Sequence, residues 1–286
     1  MTESGDIVEA GSAYANAGSF LFKCDDIKGG VRLLQMAVKV YQDTDKLDKA
    51  GKYEKLIGEK LEARTDVDDS KKAAQAHFER AYDLFSADET YKLSAIGCLE
   101  KIANIVSERR EYKKAFKWWE KMIDLCAEDA RLNMRMTKAI MNAFYCVITQ
   151  KDSVLTSEKI ETWADKNVRF ARSSELTFCK DINGAFEDAD YKALSTAFAK
   201  WDRFNKLTDW QVSCIKVVFD EIKPATASEE DASSSAAATV VPPPAPSATT
   251  TAATAGGTNA TVAADSPSSG WPVMSDDEDE DDSSLL

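Results

Sequence analysis

Residues 110–126 read REYKKAFKWWEKMIDLC, and their spacing decides the fold class. The apolar residues Ala115, Trp119, Met122 and Cys126 fall at i, i+4, i+7 and i+11, the stripe of an amphipathic helix. The same stripe recurs on either side. Leu34, Ala37, Val38 and Tyr41 form one, Leu99, Ile102, Ala103 and Val106 another, and Ile140, Phe144, Val147 and Ile148 come close to a third. Short polar breaks separate the stripes: CDD at 24–26, DTDK at 43–46, RTDVDD at 64–69, SADE at 86–89, QKDS at 150–153 and FEDAD at 186–190. They predict ten or eleven helices joined by short turns. Ser86 followed by Glu89 is a capping-box spacing expected to open a helix. Gly29-Gly30, in DDIKGGVRLLQ, reads as a helix start.

Proline and charge divide the chain at one place. All seven prolines lie at or beyond Pro224, as expected if the first 223 residues are helical nearly throughout, because proline in a helix interior costs about 3 kcal/mol. Residues 224–286 carry 11 acidic residues and no Lys or Arg, which leaves residues 1–223 with 36 basic and 38 acidic side chains. The formal net charge of -13 therefore belongs mostly to the tail. Without a basic surplus, nucleic acid is excluded as the expected partner. Of the 63 tail residues, 40 are Ala, Ser, Thr or Pro. Such a segment buries too little apolar surface to offset its ordering entropy, and disorder is expected. The domain organisation expected is thus a helical body, 1–223, and a disordered acidic tail, 224–286.

Ala37-x-x-x-Tyr41, Ala81-x-x-x-Phe85 and Ala115-x-x-x-Trp119 each set a small residue one turn before an aromatic. The small residue admits a neighbouring helix and the aromatic fills the groove beside it, as in tetratricopeptide-type hairpins. The expected fold is all-α: a tetratricopeptide-like right-handed solenoid of antiparallel helical hairpins, with an extended face for elongated partners. An ordinary helical bundle is the competing architecture.

Catalytic and metal chemistry find no support. His77 is the only histidine, and Ala73, Ala74, Phe78 and Ala81 around it suit a packed helix, so a structural or surface role is expected. The six cysteines are scattered, form no CxxC pair, and read as reduced, buried thiols. No phosphate loop is present, and no cofactor or metal is expected. The start, MTESGDIVEA, is acidic and lacks the apolar core of a signal peptide, and no apolar run approaches a membrane span.

The tail ends WPVMSDDEDEDDSSLL, with Asp276, Asp277, Glu278, Asp279, Glu280, Asp281 and Asp282 consecutive and Leu285 and Leu286 closing the chain. Asp281-x-x-x-Leu285-Leu286 also matches an acidic dileucine signal, a signal that acts on membrane cargo. Asn259-Ala260-Thr261 is a glycosylation triplet that a cytosolic chain leaves unused, and Ser275 precedes an acidic run suited to phosphorylation.

Taken together, AYANAGSFLFKCDD (13–26), the Ala37–Tyr41 helix, EYKKAFKWWEKM (111–122) and YKALSTAFAKWDRFNKLTDWQVSCIKVVFDEIK (191–223) resemble the soluble NSF attachment proteins of the alpha/beta type. The most specific element is Trp201-Asp202-x-x-x-Lys206-Leu207-x-x-Trp210, similar to the family's aromatic-Asp-x-x-x-basic-Leu-x-x-Trp ending. The resemblance spans about residues 8–222. It implies a solenoid ending in a small helical bundle, located in the cytoplasm and peripheral on membranes. It also implies a non-enzymatic adaptor that grips assembled SNARE complexes (syntaxin-type) with a basic concave face. The acidic, leucine-bearing end then recruits and stimulates the hexameric ATPase NSF for SNARE disassembly in vesicle fusion and intracellular transport. By alignment, Lys52 and Lys101 match basic positions on that face, joined by Lys23, Lys46 and Lys138; residues 276–282 with Leu285 and Leu286 are the expected NSF contact.

Three departures follow. The chain opens at about the family's third hairpin, without the early membrane-touching loop, so direct membrane contact is expected to be weak and attachment to run through SNAREs. Gly97 and Ser174 stand where the family often has basic residues. Glu229-Glu230-Asp231 sits at the family's usual acidic end, ahead of a long spacer, and is the rival NSF contact. The competing functional reading is a tetratricopeptide-like scaffold for a chaperone or signalling partner without ATPase stimulation.

Overall fold

The computed structural model describes residues 2–64 and 68–222, with side chains described from Asp6 and, after the 65–67 interruption, from Asp69. Among them are twelve α-helices, two 3-10 turns and no strand. The helices are α1 (Thr2–Lys23), α2 (Ile27–Asp43), α3 (Leu47–Glu62), α4 (Asp68–Phe85), α5 (Lys92–Glu108), α6 (Tyr112–Ala127), α7 (Asn133–Ile148), α8 (Ser153–Lys166), α9 (Val168–Ala171), α10 (Ser174–Glu187), α11 (Tyr191–Asp202) and α12 (Asp209–Ile222). Five of the breaks carry weak sequence signals: 109–111, 128–132, Asn167, 172–173 and 203–208.

The tight turns share one construction. A single residue leaves α1, α2, α5, α7 and α10 in the left-handed region: Asp25, Asp45, Arg110, Lys151 and Ala189, with φ between 52° and 61°. In four of these turns the next N–H returns to a carbonyl five residues back: Asp26 to Leu21 (3.0 Å), Lys46 to Tyr41 (2.8 Å), Glu111 to Val106 (3.2 Å) and Asp190 to Ala185 (2.9 Å). This is a Schellman closure, which satisfies orphaned carbonyls and reverses the chain within two residues. The residue making that bond is also the N-cap of the next helix, and in two of the four turns its side chain makes the cap. Asp26 accepts from Gly29 N–H and Asp190 from Ala193 N–H, both at 2.9 Å. The expected helix start at Gly29-Gly30 is therefore one turn into α2.

The Ser86–Glu89 capping box does not form. Ser86 follows the last residue of α4, and its hydroxyl donates back to the Tyr82 carbonyl at 2.7 Å. The cap belongs to Asp88, whose carboxylate accepts from Thr90 N–H at 2.8 Å and opens a 3-10 turn ahead of α5.

All three Ala–aromatic pairs are buried. The rings of Phe85 and Phe78 on α4 lie over Gly51 and Gly58 of α3, where an added Cβ would come within 2.9 Å of ring carbon. These glycines let α3 and α4 approach closely. Trp119 fills the centre of the core, its indole N–H donating to Ser107 Oγ at 3.2 Å. Each of α2 to α7 packs on the helix before it, and cross-links connect alternate helices: α6 and α8 through Lys159–Glu120 and Lys166–Asp124, both 2.7 Å. From α1 to α8, odd and even helices thus form two layers.

His77 is structural. It is buried in α4 with Nδ1 2.6 Å from the buried Glu54 carboxylate of α3, and Arg80 Nε donates to the same oxygen at 3.2 Å. The cysteines are free; five are buried, whereas Cys24 is exposed at the first turn, against the expectation of uniform burial. Burial pushes the Cys98 and Cys214 thiols up to about 12.

At the C-terminal end α12 turns back onto α7. Trp210 meets Tyr145 edge-on at 6.3 Å, and Gln211 Nε2 donates to Asn142 Oδ1 at 2.8 Å. Trp201 stacks on Phe178 at 4.5 Å and donates to the Tyr145 hydroxyl at 3.1 Å. The two tryptophans of the distinctive ending therefore converge on one tyrosine.

Candidate functional site

One surface formed by α3, α5 and α7 gathers the charged side chains. On α3, Lys52, Lys55, Glu59 and Glu62 recur at i, i+3, i+7 and i+10, so they share a stripe. The middle of the surface is an open depression of about 380 Å³, lined by Lys55, Glu59 and Glu62 of α3, by Gly97, Glu100, Lys101, Asn104 and Glu108 of α5, and by Arg135 of α7. Ion pairs bridge the helices: Lys101 Nζ lies 2.7 Å from Glu62 and Lys138 Nζ 2.7 Å from Glu100.

Of the five lysines expected to bind, the structure brings three to this surface: Lys52, Lys101 and Lys138. Lys46 is exposed at the α2–α3 turn, six residues before Lys52 and hence turned about 120° from its stripe at 100° per residue. Lys23 ends α1, at the opposite end of α2 from Lys46. Among the described residues neither has a carboxylate in ion-pair range.

The surface differs from a uniformly basic face. Lys52, Lys55, Lys101, Arg135 and Lys138 share it with Glu59, Glu62, Glu100 and Glu108. The exposed pairs are worth about 0–1 kcal/mol each. Their carboxylates also hold three of the cations, Lys55, Lys101 and Lys138, away from any incoming anion. Gly97 sits among them with nothing within 4 Å of an added Cβ, so a long side chain fits there without displacing a neighbour.

Sequence reasoning missed two further kinds of residue here. Arg135 is one. The other is a pair of exposed apolar side chains, Leu93 (59%) and Met134 (65%), each one turn before a position on the charged stripe, Gly97 and Lys138. A signal for them exists. Asp88 and Asp129 each open a 3-10 turn, and Leu93 and Met134 each follow five residues later, a 41-residue repeat.

Comparison with known sequences fixes the relationship. A family profile described as "Soluble NSF attachment protein, SNAP" matches residues 2–223. The chain belongs to this family. It is similar to an alpha-soluble NSF attachment protein of Vitis vinifera (24% identical over 77% of the chain and 74% of the relative). It is also similar to a beta-soluble NSF attachment protein of Bos taurus (26%, over 71% and 64%) and an alpha-soluble NSF attachment protein of Saccharomyces cerevisiae (23%, over 77% and 74%). The family's helical solenoid agrees with the layered helices above. Among the described residues no helix is long and apolar enough to cross a membrane, and no cluster of metal-ligating side chains is found. Ser174, the second departure from the family's basic pattern, is the first residue of α10, away from the α3–α5–α7 surface. The expected NSF-contacting residues, 276–282 with Leu285 and Leu286, and the rival Glu229–Asp231, lie outside the described residues.

Proposed function

We propose that this protein is an adaptor for SNARE disassembly. It lays the α3–α5–α7 surface along an assembled SNARE bundle and recruits the NSF ATPase through its acidic C-terminal end, stimulating ATP hydrolysis. The observation that carries this reading is the family match over residues 2–223, supported by three of the five expected lysines lying on one solenoid surface. Long-range attraction orients a rod-like acidic bundle on such a surface and speeds encounter more than it tightens the final complex. Lys52, Lys101 and Lys138 are the residues assigned to the bundle; Lys23 and Lys46, which lie off the α3–α5–α7 surface, are assigned no part in this contact. Because two of the three central cations already hold carboxylates, binding is expected to be weaker and less salt-dependent than on a uniformly basic face. The protein then acts in the cytoplasm, peripheral on membranes through SNAREs. A pull-down with an assembled syntaxin-type SNARE complex and NSF tests this. Capture of both partners is expected, with NSF retained only when the SNARE complex and this protein are present. Capture of neither overturns the adaptor reading in favour of a scaffold for other partners.

A further inference from the structure

The last hairpin carries a second, separate surface. The helices α10 and α11 lie antiparallel, and two contiguous depressions run between them, of about 370 and 540 Å³. They share Asp181, Ala197 and Lys200 and so form one groove. At one end its walls are Phe178, Trp201 and Phe204; at the other, small residues, Ala185 and Ala193, leave room for a close approach. Phe204 is the most exposed large hydrophobic side chain among the described residues, at 82%. Its neighbours are not loose, since Trp201 is fixed by its stack on Phe178 and its bond to Tyr145. An aromatic anchor beside a rigid apolar wall is the composition of a binding hot spot.

Topology explains why the groove is open. The following helix, α12, packs on the far side of α11, where Phe219 meets Tyr191 at 5.5 Å and Phe198 at 5.8 Å, and then against α7. No described residue lies over the groove. Charge gives it direction. Arg203 stands at the Phe204 end, with its guanidinium 5.7 Å from the ring centroid. Asp181 and Lys200 line both depressions and offset each other, and at the far end Asp188 and Asp190 outnumber Lys192. Along the 14 residues of α10 the groove runs about 21 Å at 1.5 Å per residue, the length of a four-turn helix.

We propose that the α10–α11 groove binds an amphipathic helix of about four turns from a partner protein. Its apolar face rests on Phe178, Trp201 and Phe204. Acidic residues at one end meet Arg203, and basic residues at the other meet Asp188 and Asp190. This is helix-in-groove recognition with polarity set by charge. It does not depend on the SNARE-binding role of the α3–α5–α7 surface, because the two surfaces share no residue.

The test uses a labelled 16-residue amphipathic peptide with leucines at i, i+4, i+7 and i+11, glutamates in the first turn and lysines in the last. Fluorescence anisotropy reads its binding to the full chain, to Phe204→Asp at an exposed position and to Ala197→Trp at a half-buried position in the groove floor, with circular dichroism confirming that each variant is folded. Saturable binding is expected, at least tenfold weaker in both variants. Peptides with lysines at both ends, or glutamates at both ends, should each bind several-fold more weakly. Capture of an assembled SNARE bundle by Phe204→Asp should be unchanged. Equal binding to wild type and variants, or no preference among the peptides, overturns the proposal. So does a concentration-dependent dimer or a vesicle association that Phe204→Asp abolishes, since either would give the groove to a second copy or to lipid.

Discussion

Gly97→Lys separates the fold from the function at a single position. Gly97 lies inside α5 with nothing within 4 Å of an added Cβ, so the new stem extends over the α3–α5–α7 surface without a clash. Replacing a helix-interior glycine by lysine contributes about 0.7 kcal/mol of helix propensity. Attraction to Glu100 at i+3 and repulsion from Lys101 at i+4 are each worth about 0.2–0.5 kcal/mol and nearly cancel. For a body of this size the net gain raises Tm by about 2 °C. One further exposed cation facing an acidic bundle adds about 0.2–1 kcal/mol of binding, a factor of about 1.5 to 5 in affinity. That gain fades as salt shortens the screening length from about 10 Å at 0.1 M to about 3 Å at 1 M. Gly97→Gln supplies the propensity without the charge, and should raise Tm alike while leaving affinity alone. Scanning calorimetry and titration of an assembled SNARE bundle read the two effects. A lowered Tm would refute the open space above Gly97. A raised Tm with unchanged affinity at low salt would refute the assignment of this surface to SNARE binding.

Deleting Leu285 and Leu286 should leave SNARE capture intact but reduce stimulated ATP hydrolysis; full stimulation by a chain ending at Ala232 would move the ATPase contact to Glu229–Asp231. Ala189→Gly should stabilise the fold by about 0.5–1 kcal/mol in chemical denaturation, because Ala189 holds φ 52° and glycine adopts that region without strain; a lower midpoint would contradict the left-handed turn. At pH 8 a thiol-specific reagent should titrate Cys24 alone in the native protein and all six cysteines in denaturant, since burial raises the other thiols and keeps them protonated there. Rapid native modification of Cys146 or Cys214 would contradict the packing of α12 on α7.

The helices were legible because their physics is local. A 3.6-residue stripe and the absence of proline before Pro224 follow from composition, and the Ala–aromatic pairs foretold burial correctly at Tyr41, Phe85 and Trp119. The turns were half legible. Asp25 and Asp45 are residue types that tolerate the left-handed region, whereas Arg110, Lys151 and Ala189 give no local sign of it; Schellman closures accompany Arg110 and Ala189, and at Lys151 the N–H bonds the Ile148 carbonyl at 3.1 Å. The binding surface was the least legible. Helical spacing groups Lys52 with Glu59, but it takes the stacking of α3, α5 and α7 to bring Glu62 to Lys101 and Glu100 to Lys138. That pairing of helices 38 or 39 residues apart turns an expected basic face into a mixed one. The α10–α11 groove depends on where α12 folds back, which no window of sequence encodes.

ATP-dependent disassembly of a purified SNARE complex by NSF tests the central claim most directly. The wild-type protein should support disassembly, and Lys52→Glu/Lys101→Glu/Lys138→Glu should reduce it at least tenfold while retaining its helical circular dichroism. Disassembly that proceeds equally with the triple variant, or that does not require this protein at all, would contradict the account.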